Sequence, residues 1–311
     1  MSAVTVAAAQ ATPVFLDSDA TVDKVIALTK EAAANDARLI LFPETFVPTY
    51  PDWVWRVPAW SDGAFTRRLY DEAVSIPGPH TDRIAAAARE AGSYVVVGVN
   101  EIDGGTLYCT LVYFSPDGEI VNVHRKLMPT GGERTVWGTG DGSTLGVVET
   151  PFGVVGGLIC WENYMPLARA AVYAQGVDIY LAPTWDNSET WVATLQHIGK
   201  EGRCYVVGVA PLLRGSDVPA ELRGDHYADD PTDWMSRGYS AIIAPGGEIL
   251  AGPVLEREEI LYAEVDAAVA RHSRHEFDAV GHYSRPDVLQ LTVDTTPQQP
   301  VRFTARHQPE A

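Results

Sequence analysis

Cysteine is scarce in this chain. There are three, Cys109, Cys160 and Cys204, an odd number with no close pairing, so a disulfide framework is excluded. A reducing, cytoplasmic compartment is the expectation. No CxxC pair and no Cys/His cluster with zinc spacing occurs, so no metal is expected. Positive charge is also in short supply: 23 Lys and Arg stand against 41 Asp and Glu, a formal net charge of −18. Such a surface repels phosphate backbones, which argues against a nucleic-acid partner. Long apolar runs are missing as well. Nowhere do 18 apolar residues follow one another, so neither a transmembrane helix nor a membrane partner is expected. The stretch from Met1 to Phe15 lacks a basic segment and alternates Val4, Val6 and Ala8 against Thr5 and Gln10. It reads as a strand, not a signal peptide. Repeats, low-complexity linkers and abrupt shifts of composition are absent too.

What remains is a chain of 311 residues, 46% hydrophobic and 21% charged, ordinary for a globular protein. A single domain of this size buries about 75% of the surface its unfolded chain exposes. The pattern alternates strand and helix. Val4–Ala11 is expected as a strand, and Ser18 as the cap of a helix to about Asn35 with Val22, Val25, Ile26 and Thr29 on one face. Arg38–Phe42 reads as a strand, Tyr50–Trp60 as a loop, and Thr81–Ala91 as a helix stopped by Gly92. Strands are expected at Tyr94–Asn100, Leu107–Phe114 and Ile120–His124, the last two joined at Asp117-Gly118. A hairpin around Pro151-Phe152-Gly153 joins Val147–Thr150 to Val154–Cys160. Then follow a helix from Pro166 to Gln175, a strand Ile179–Ala182, a helix capped by Ser188 and a strand Tyr205–Ala210. Tyr239–Ala244 and Glu248–Ala251 flank Pro245-Gly246-Gly247, and Ile260–Val265 leads into a last helix. Helices on mixed sheets, class α/β, are the implied architecture. The expectation is one domain over 1–290 and a polar C-terminal tail over 291–311.

Three segments end a buried-looking strand with a reactive residue. Leu39–Pro43 runs into Glu44. Val121–His124 runs into Arg125 and Lys126, which face opposite sides of a strand, so at most one enters a shared pocket. Val154–Ile159 runs into Cys160 just before a helix, where an exposed thiol beside a helix N-terminus is favoured as thiolate. Taken singly, each segment has a plainer reading as a surface acid, a solvated strand end or a packing cysteine. Cys109, mid-strand, and Cys204, at a strand start, are read as packing. Together the three form an acyl-transfer site. A free thiol titrates near pH 8.5, so the thiolate at pH 7 costs about 2 kcal/mol. A carboxylate takes that proton, and a lysine steadies the anion and the tetrahedral adduct.

Phe42-Pro43-Glu44, His124-Arg125-Lys126-Leu127 and Cys160-Trp161-Glu162-Asn163 resemble, in order and spacing, the three signature segments of the nitrilase (carbon–nitrogen hydrolase) superfamily. The likeness runs from about residue 3 to about 290. Carried over residue by residue, it implies a catalytic triad of Glu44, Lys126 and Cys160, with Glu133 matching a second glutamate. Cys160-Trp161-Glu162 followed by Met165-Pro166-Leu167 is similar to true nitrilases, whereas amidase and carbamoylase branches usually carry tyrosine and aspartate after the cysteine. Lys126–Thr130, Trp137–Gly142, Ala182-Pro183-Thr184 and Val280–Asp287 resemble nitrilases too. Gly131-Gly132 departs from relatives that often have a histidine or bulky residue there. The resemblance implies a four-layer α-β-β-α sandwich, hydrolysis of a small-molecule nitrile by water without a cofactor, and a homo-oligomer built from dimers that can extend into spirals. An amidase with the same triad is the alternative reaction, and a non-catalytic filament protein the alternative class.

Tyr50, Trp53, Trp55, Trp60, Trp137 and Trp185 lie near the signature segments. They are candidates to line a pocket for an aromatic or arylaliphatic nitrile, with Trp161, Trp185 and Tyr50 as the substrate-binding candidates. The competing reading is core or interface packing. Gly138–Ser143 lacks the spacing of a phosphate-binding loop. His272, His275 and His282 sit among Arg271, Arg274 and Arg285, which disfavours a metal.

Overall fold

A computed structural model of the chain describes residues 3–228, 230, 232–299 and 301. In chain order the elements are β1 (Val4–Gln10), α1 (Ser18–Ala34), β2 (Ala37–Leu41), α2 (Gly63–Glu72), α3 (Pro79–Ala91), β3 (Tyr94–Asp103), β4 (Thr106–Phe114) and β5 (Ile120–Arg125). The second half continues with β6 (Val148–Thr150), β7 (Gly153–Gly157), α4 (Pro166–Tyr173), β8 (Ile179–Pro183), α5 (Glu189–Gly202) and β9 (Tyr205–Val209). It closes with β10 (Leu212–Arg214), α6 (Ala220–Arg223), β11 (Trp234–Ile243), β12 (Ile249–Leu255), β13 (Glu259–Val265) and α7 (Ala267–Ser273).

Two sheets carry the fold. The first has the order β13-β1-β2-β3-β4-β5 and the second β10-β11-β9-β8-β7-β6, with β12 on β11. Strands β1, β2 and β3 are mutually parallel, as are β7, β8 and β9, and the outer strands run antiparallel. Side-chain alternation explains why the sheets stack. Val6, Ala8, Leu39, Leu41 and Val96 of the first sheet meet Val155, Ile179, Leu181, Val207 and Ile242 of the second in one core. The intervening Ala7, Ala9, Ile40, Val95 and Val97 face Val22 and Val25 of α1 and Ile84 and Ala88 of α3. On the other side Tyr180, Ala182, Val206 and Ala241 face Val172 of α4 and Trp191, Leu195 and Ile198 of α5. The layers are therefore α-β-β-α, the expected sandwich.

Local signals account for most boundaries. Gly92 ends α3 at φ 62°, and Ser188 caps α5 by accepting from Trp191 N. Asp17, not Ser18, caps α1, because its carboxylate accepts from Ala20 N while Ser18 is buried against Glu72. Helix α2 falls in a stretch whose sequence suggested no element. Strand β11 starts at Trp234, five residues before the expected Tyr239. The segment from Cys160 is a short 3-10 turn, Cys160–Tyr164, and α4 begins only at Pro166. Part of the expected tail, 300 and 302–311, lies outside the described residues. The rest of 291–301 is exposed, and Gln298 N donates to Asp141 Oδ2 at 2.7 Å.

Candidate active site

The C-terminal ends of β2, β5, β7 and β8 converge, the usual place for a site in sheets with parallel strands. Glu44 follows β2 on a turn whose next residue, Thr45, has φ 41°. The turn lies flat on β3 because Gly98 is there. A Cβ at Gly98 would stand 2.3 Å from Pro43 O, 2.5 Å from Thr45 N and 2.9 Å from Glu44 C. Lys126 follows β5 and Cys160 follows β7, with Cys160 at φ 51°. That left-handed conformation is costly for a side-chain-bearing residue and is held by its surroundings. Asn163 Nδ2 donates to Leu158 O (3.0 Å) and Cys160 O (2.9 Å), and Tyr180 Oη donates to Asn163 Oδ1 (2.7 Å).

The side chains form one buried network. Lys126 Nζ, with no exposed side-chain surface, lies 2.6 Å from Glu44 Oε1 and 2.7 Å from Glu133 Oε2. Glu44 Oε2 accepts the backbone N–H of Trp185 at 2.8 Å, and Cys109 Sγ donates to Glu44 Oε1 at 3.5 Å. Glu133 accepts from Tyr50 Oη (2.7 Å) and from Thr130 N (2.6 Å). Arg125 turns away, its guanidinium bound to Glu101 and Asp103, so one of the two basic residues enters the site.

Burial is the largest single influence on Glu44, Cys160 and Lys126. It raises the Glu44 carboxyl, with Lys126 opposing. It raises the Cys160 thiol, an effect increased by the charge of Glu44 and countered by Lys126. On Lys126 burial acts downward, but the negative field of Glu44, Cys160, Cys109 and Glu133 outweighs it and holds the ammonium well above the ordinary lysine value. Both burial and the charge of Glu44 favour the protonated thiol. The expected exposed thiol beside a helix N-terminus is corrected: Cys160 is buried, and a short turn stands where the helix was expected. For this sulfur to act as a nucleophile, a base must take its proton.

Above Cys160 opens a cavity of about 840 Å³ lined by Tyr50, Trp55, Thr130, Glu133, Cys160, Trp161, Tyr164, Trp185, Asp186, Asn187, Ser188 and Thr190. Tyr50 and Trp185 stack with ring centroids 4.2 Å apart, and Trp161 Nε1 donates to Asp186 Oδ2 at 2.8 Å. The six loop aromatics divide. Tyr50, Trp55 and Trp185 reach the cavity. Trp53 is core, stacked on Phe65, Trp137 is buried and donates to Asn100 Oδ1, and Trp60 is fully exposed. Gly131-Gly132 has a local reason: Cβ atoms there would stand 3.0 Å and 3.3 Å from the Trp55 ring.

Several residues were invisible to sequence reasoning. Glu162, read only as a mark of resemblance, accepts from Leu127 N (2.6 Å), Ile159 N (2.7 Å) and His124 Nε2 (3.1 Å). It joins the lysine segment to the cysteine segment. His124 and Glu162 are both buried, and so is Lys126, which is therefore not a solvated strand end. Cys109 packs as expected but also touches Glu44. Asp186 and Tyr164 carried no local signal. Among the described residues no metal-binding cluster occurs. Arg271 and Arg274 instead pair with Asp178.

The profile of the carbon–nitrogen hydrolase family matches residues 5–275. An aliphatic nitrilase of Sinorhizobium fredii is 45% identical over 300 residues, covering 95% of this chain and 97% of that protein. A bifunctional nitrilase/nitrile hydratase of Lupinus angustifolius is 44% identical over 306 residues, 95% of this chain and 87% of that protein. The crystal structure of a carbon–nitrogen hydrolase from Helicobacter pylori G27 shares the fold with a TM-score of 0.72 at 19% identity, covering 92% of this chain and 96% of that one. The chain belongs to the carbon–nitrogen hydrolase family and, within it, groups with the nitrilases.

Proposed function

We propose that this protein is a nitrilase that converts an organic nitrile and two waters to a carboxylic acid and ammonia, with Cys160 as nucleophile. The observation that carries the reading is the convergence of Glu44, Lys126 and Cys160 from three strand ends beneath one aromatic-walled cavity. Glu44 takes the thiol proton as the sulfur attacks the nitrile carbon and delivers it to the nitrogen, leaving a thioimidate. Water, deprotonated by Glu44, adds to that carbon. The nitrogen collects protons and leaves as ammonia, and a thioester remains. A second water releases the acid and restores the thiol. Lys126 stays cationic through the cycle and offsets charge on each tetrahedral species. The Trp161 backbone N–H, ahead of the first bond of its turn (Glu162 N to Ile159 O), serves as a second donor. Glu133 holds Lys126 in place and, through Tyr50, the wall stacked on Trp185.

Trp161, Trp185 and Tyr50 form the substrate wall, and their ring faces suit aromatic or arylaliphatic nitriles. The Sinorhizobium relative is named for aliphatic ones, so a substrate panel must span both. All three cysteines are buried and free, in keeping with a cytoplasmic setting, and the assembly is a homo-oligomer. Among the described residues no helix is long and apolar enough to cross a membrane.

The deciding experiment is ammonia release from a nitrile and its matched amide by the wild-type protein and Cys160→Ala. Nitrile turnover that vanishes in the variant is expected. Undiminished turnover in the variant sinks the nucleophile assignment. Turnover of the amide alone makes the protein an amidase.

A further inference from the structure

The cavity above Cys160 carries one charge that the reaction does not use. Asp186 sits half-buried on its wall, in the loop after β8. Its Oδ2 accepts from Trp161 Nε1 at 2.8 Å, and its Oδ1 accepts from Ser188 N at 3.1 Å and Ser188 Oγ at 2.6 Å. These bonds fix the carboxylate and leave it unused acceptor capacity. Among the described residues no lysine, arginine or histidine lines the cavity. The cation closest to the chemistry, Lys126, is fully buried and shared between Glu44 and Glu133, so it presents no free charge to the far end of a substrate. The nearby Arg237 is paired with Glu256, and Arg134 Nε donates to Pro129 O.

Asp186 shares the cavity wall with the rings of Trp55, Trp161, Trp185 and Tyr164, and Trp161 is bonded to it directly. Ring faces carry negative quadrupole potential, so they attract a cation and repel an anion, as a carboxylate does. An uncharged aromatic ring needs the walls only. An acid fixed among those walls adds a preference that apolar burial does not explain. The field of the whole chain, at −18, has the same sign and concentrates cations near the mouth.

We propose that the site selects nitriles by the charge at the end remote from the cyano group, taking ammonium-bearing nitriles ahead of neutral isosteres and carboxylate-bearing ones last. This rests on the nitrile-hydrolysing reading above and names its substrate class. The test compares kcat/KM for 4-(aminomethyl)benzonitrile, 4-methylbenzonitrile and 4-cyanobenzoate at neutral pH, in low and moderate salt, with wild type and Asp186→Asn. The variant removes the charge and keeps one acceptor oxygen, enough for either Trp161 Nε1 or Ser188 but not both, so the readout is the ratio between substrates and not the absolute rate. Wild type should favour the ammonium substrate over the carboxylate by about tenfold or more, with the gap narrowing as salt rises. In Asp186→Asn the ammonium-to-carboxylate ratio should fall by about tenfold.

Equal kcat/KM across the wild-type series, or an unchanged ratio in a variant that melts like wild type, overturns the proposal. If the variant does not fold, the wild-type order and its salt dependence decide. If no nitrile is turned over, the nitrilase reading fails. Calorimetric titration of benzylammonium and benzoate into the wild-type protein then judges the charge preference separately. Tighter benzylammonium binding supports it, and equal or reversed affinities refute it.

Discussion

Glu162 is bonded to three groups, yet nothing in the local sequence distinguishes it from a turn acid. Its partners are a backbone N–H 35 residues away, another in its own turn, and the ring of His124. Glu44, Lys126 and Cys160 were legible because each ends an apolar strand and the three match one family pattern. Glu162 was not, because its role arises only when β5 and β7 are brought together. Burial acts against both charges of the His124–Glu162 pair, but each partner outweighs it, so Glu162 lies below its ordinary 4.5 and His124 above its ordinary 6.5. The lowered acid contributes stability above pH 4.5 that is lost as pH falls through its folded value. The raised imidazole contributes stability below pH 6.5 that is lost as pH rises through its folded value. The pair is therefore most stabilising between these limits. His124→Gln should cost about 3–5 kcal/mol at pH 5.5, and less at pH 9, by urea denaturation at both pH values. Equal costs at the two pH values would exclude the charged pair. Lys126→Gln should fold and lose about 10²–10³ in kcat, and retained turnover would remove its electrostatic role. Because burial raises Glu44, and the base must be ionised to act, the acid limb of kcat/KM should fall above pH 4.5, the ordinary value for this carboxyl. A limb at or below that value contradicts a buried base.

At the scale of elements, alternation in β1 and short apolar runs in β2, β3 and β8 predicted strands, and the structure has them, because a strand buried on both faces is apolar on both. Helix α2 escaped notice because it packs only Phe65 and Leu69 inward, too few apolar positions to set a period. The identity of the turn after β7 also depended on tertiary context, since Asn163 and Tyr180 hold Cys160 at positive φ before any helix begins. Gly98 shows how one element places a reactive group on another. Strand β3 bonds to the Glu44 turn through Phe42 N to Val96 O (2.8 Å) and Val47 N to Gly98 O (3.1 Å). A methyl group at Gly98 meets rigid backbone on three atoms. Gly98→Ala should lift the turn off the sheet, lower the melting temperature and cut kcat by about tenfold or more, since small misplacement of a catalytic group is costly. Thermal melts and single-turnover kinetics check this. A variant with wild-type melting and wild-type kcat would show that the turn does not depend on that contact.

For the whole molecule, the outstanding feature is apolar surface beyond the family match, which ends at residue 275. Tyr283, Val288 and Leu289 are 59%, 65% and 77% exposed on a segment without regular structure. Single exposed apolar residues need no explanation, but a run of them is surface that a partner can cover. The homo-oligomer proposed above would place a second copy there. Net charge of −18 opposes association of like copies, so apolar contact must outweigh repulsion, and added salt should strengthen assembly by screening it. Replacing Val288 and Leu289 together by aspartate adds charge where burial is needed. Light scattering coupled to gel filtration should then show a lower mass than wild type at equal concentration, with raised salt restoring part of the difference. An unchanged mass at all salt concentrations would place the interface elsewhere on the chain.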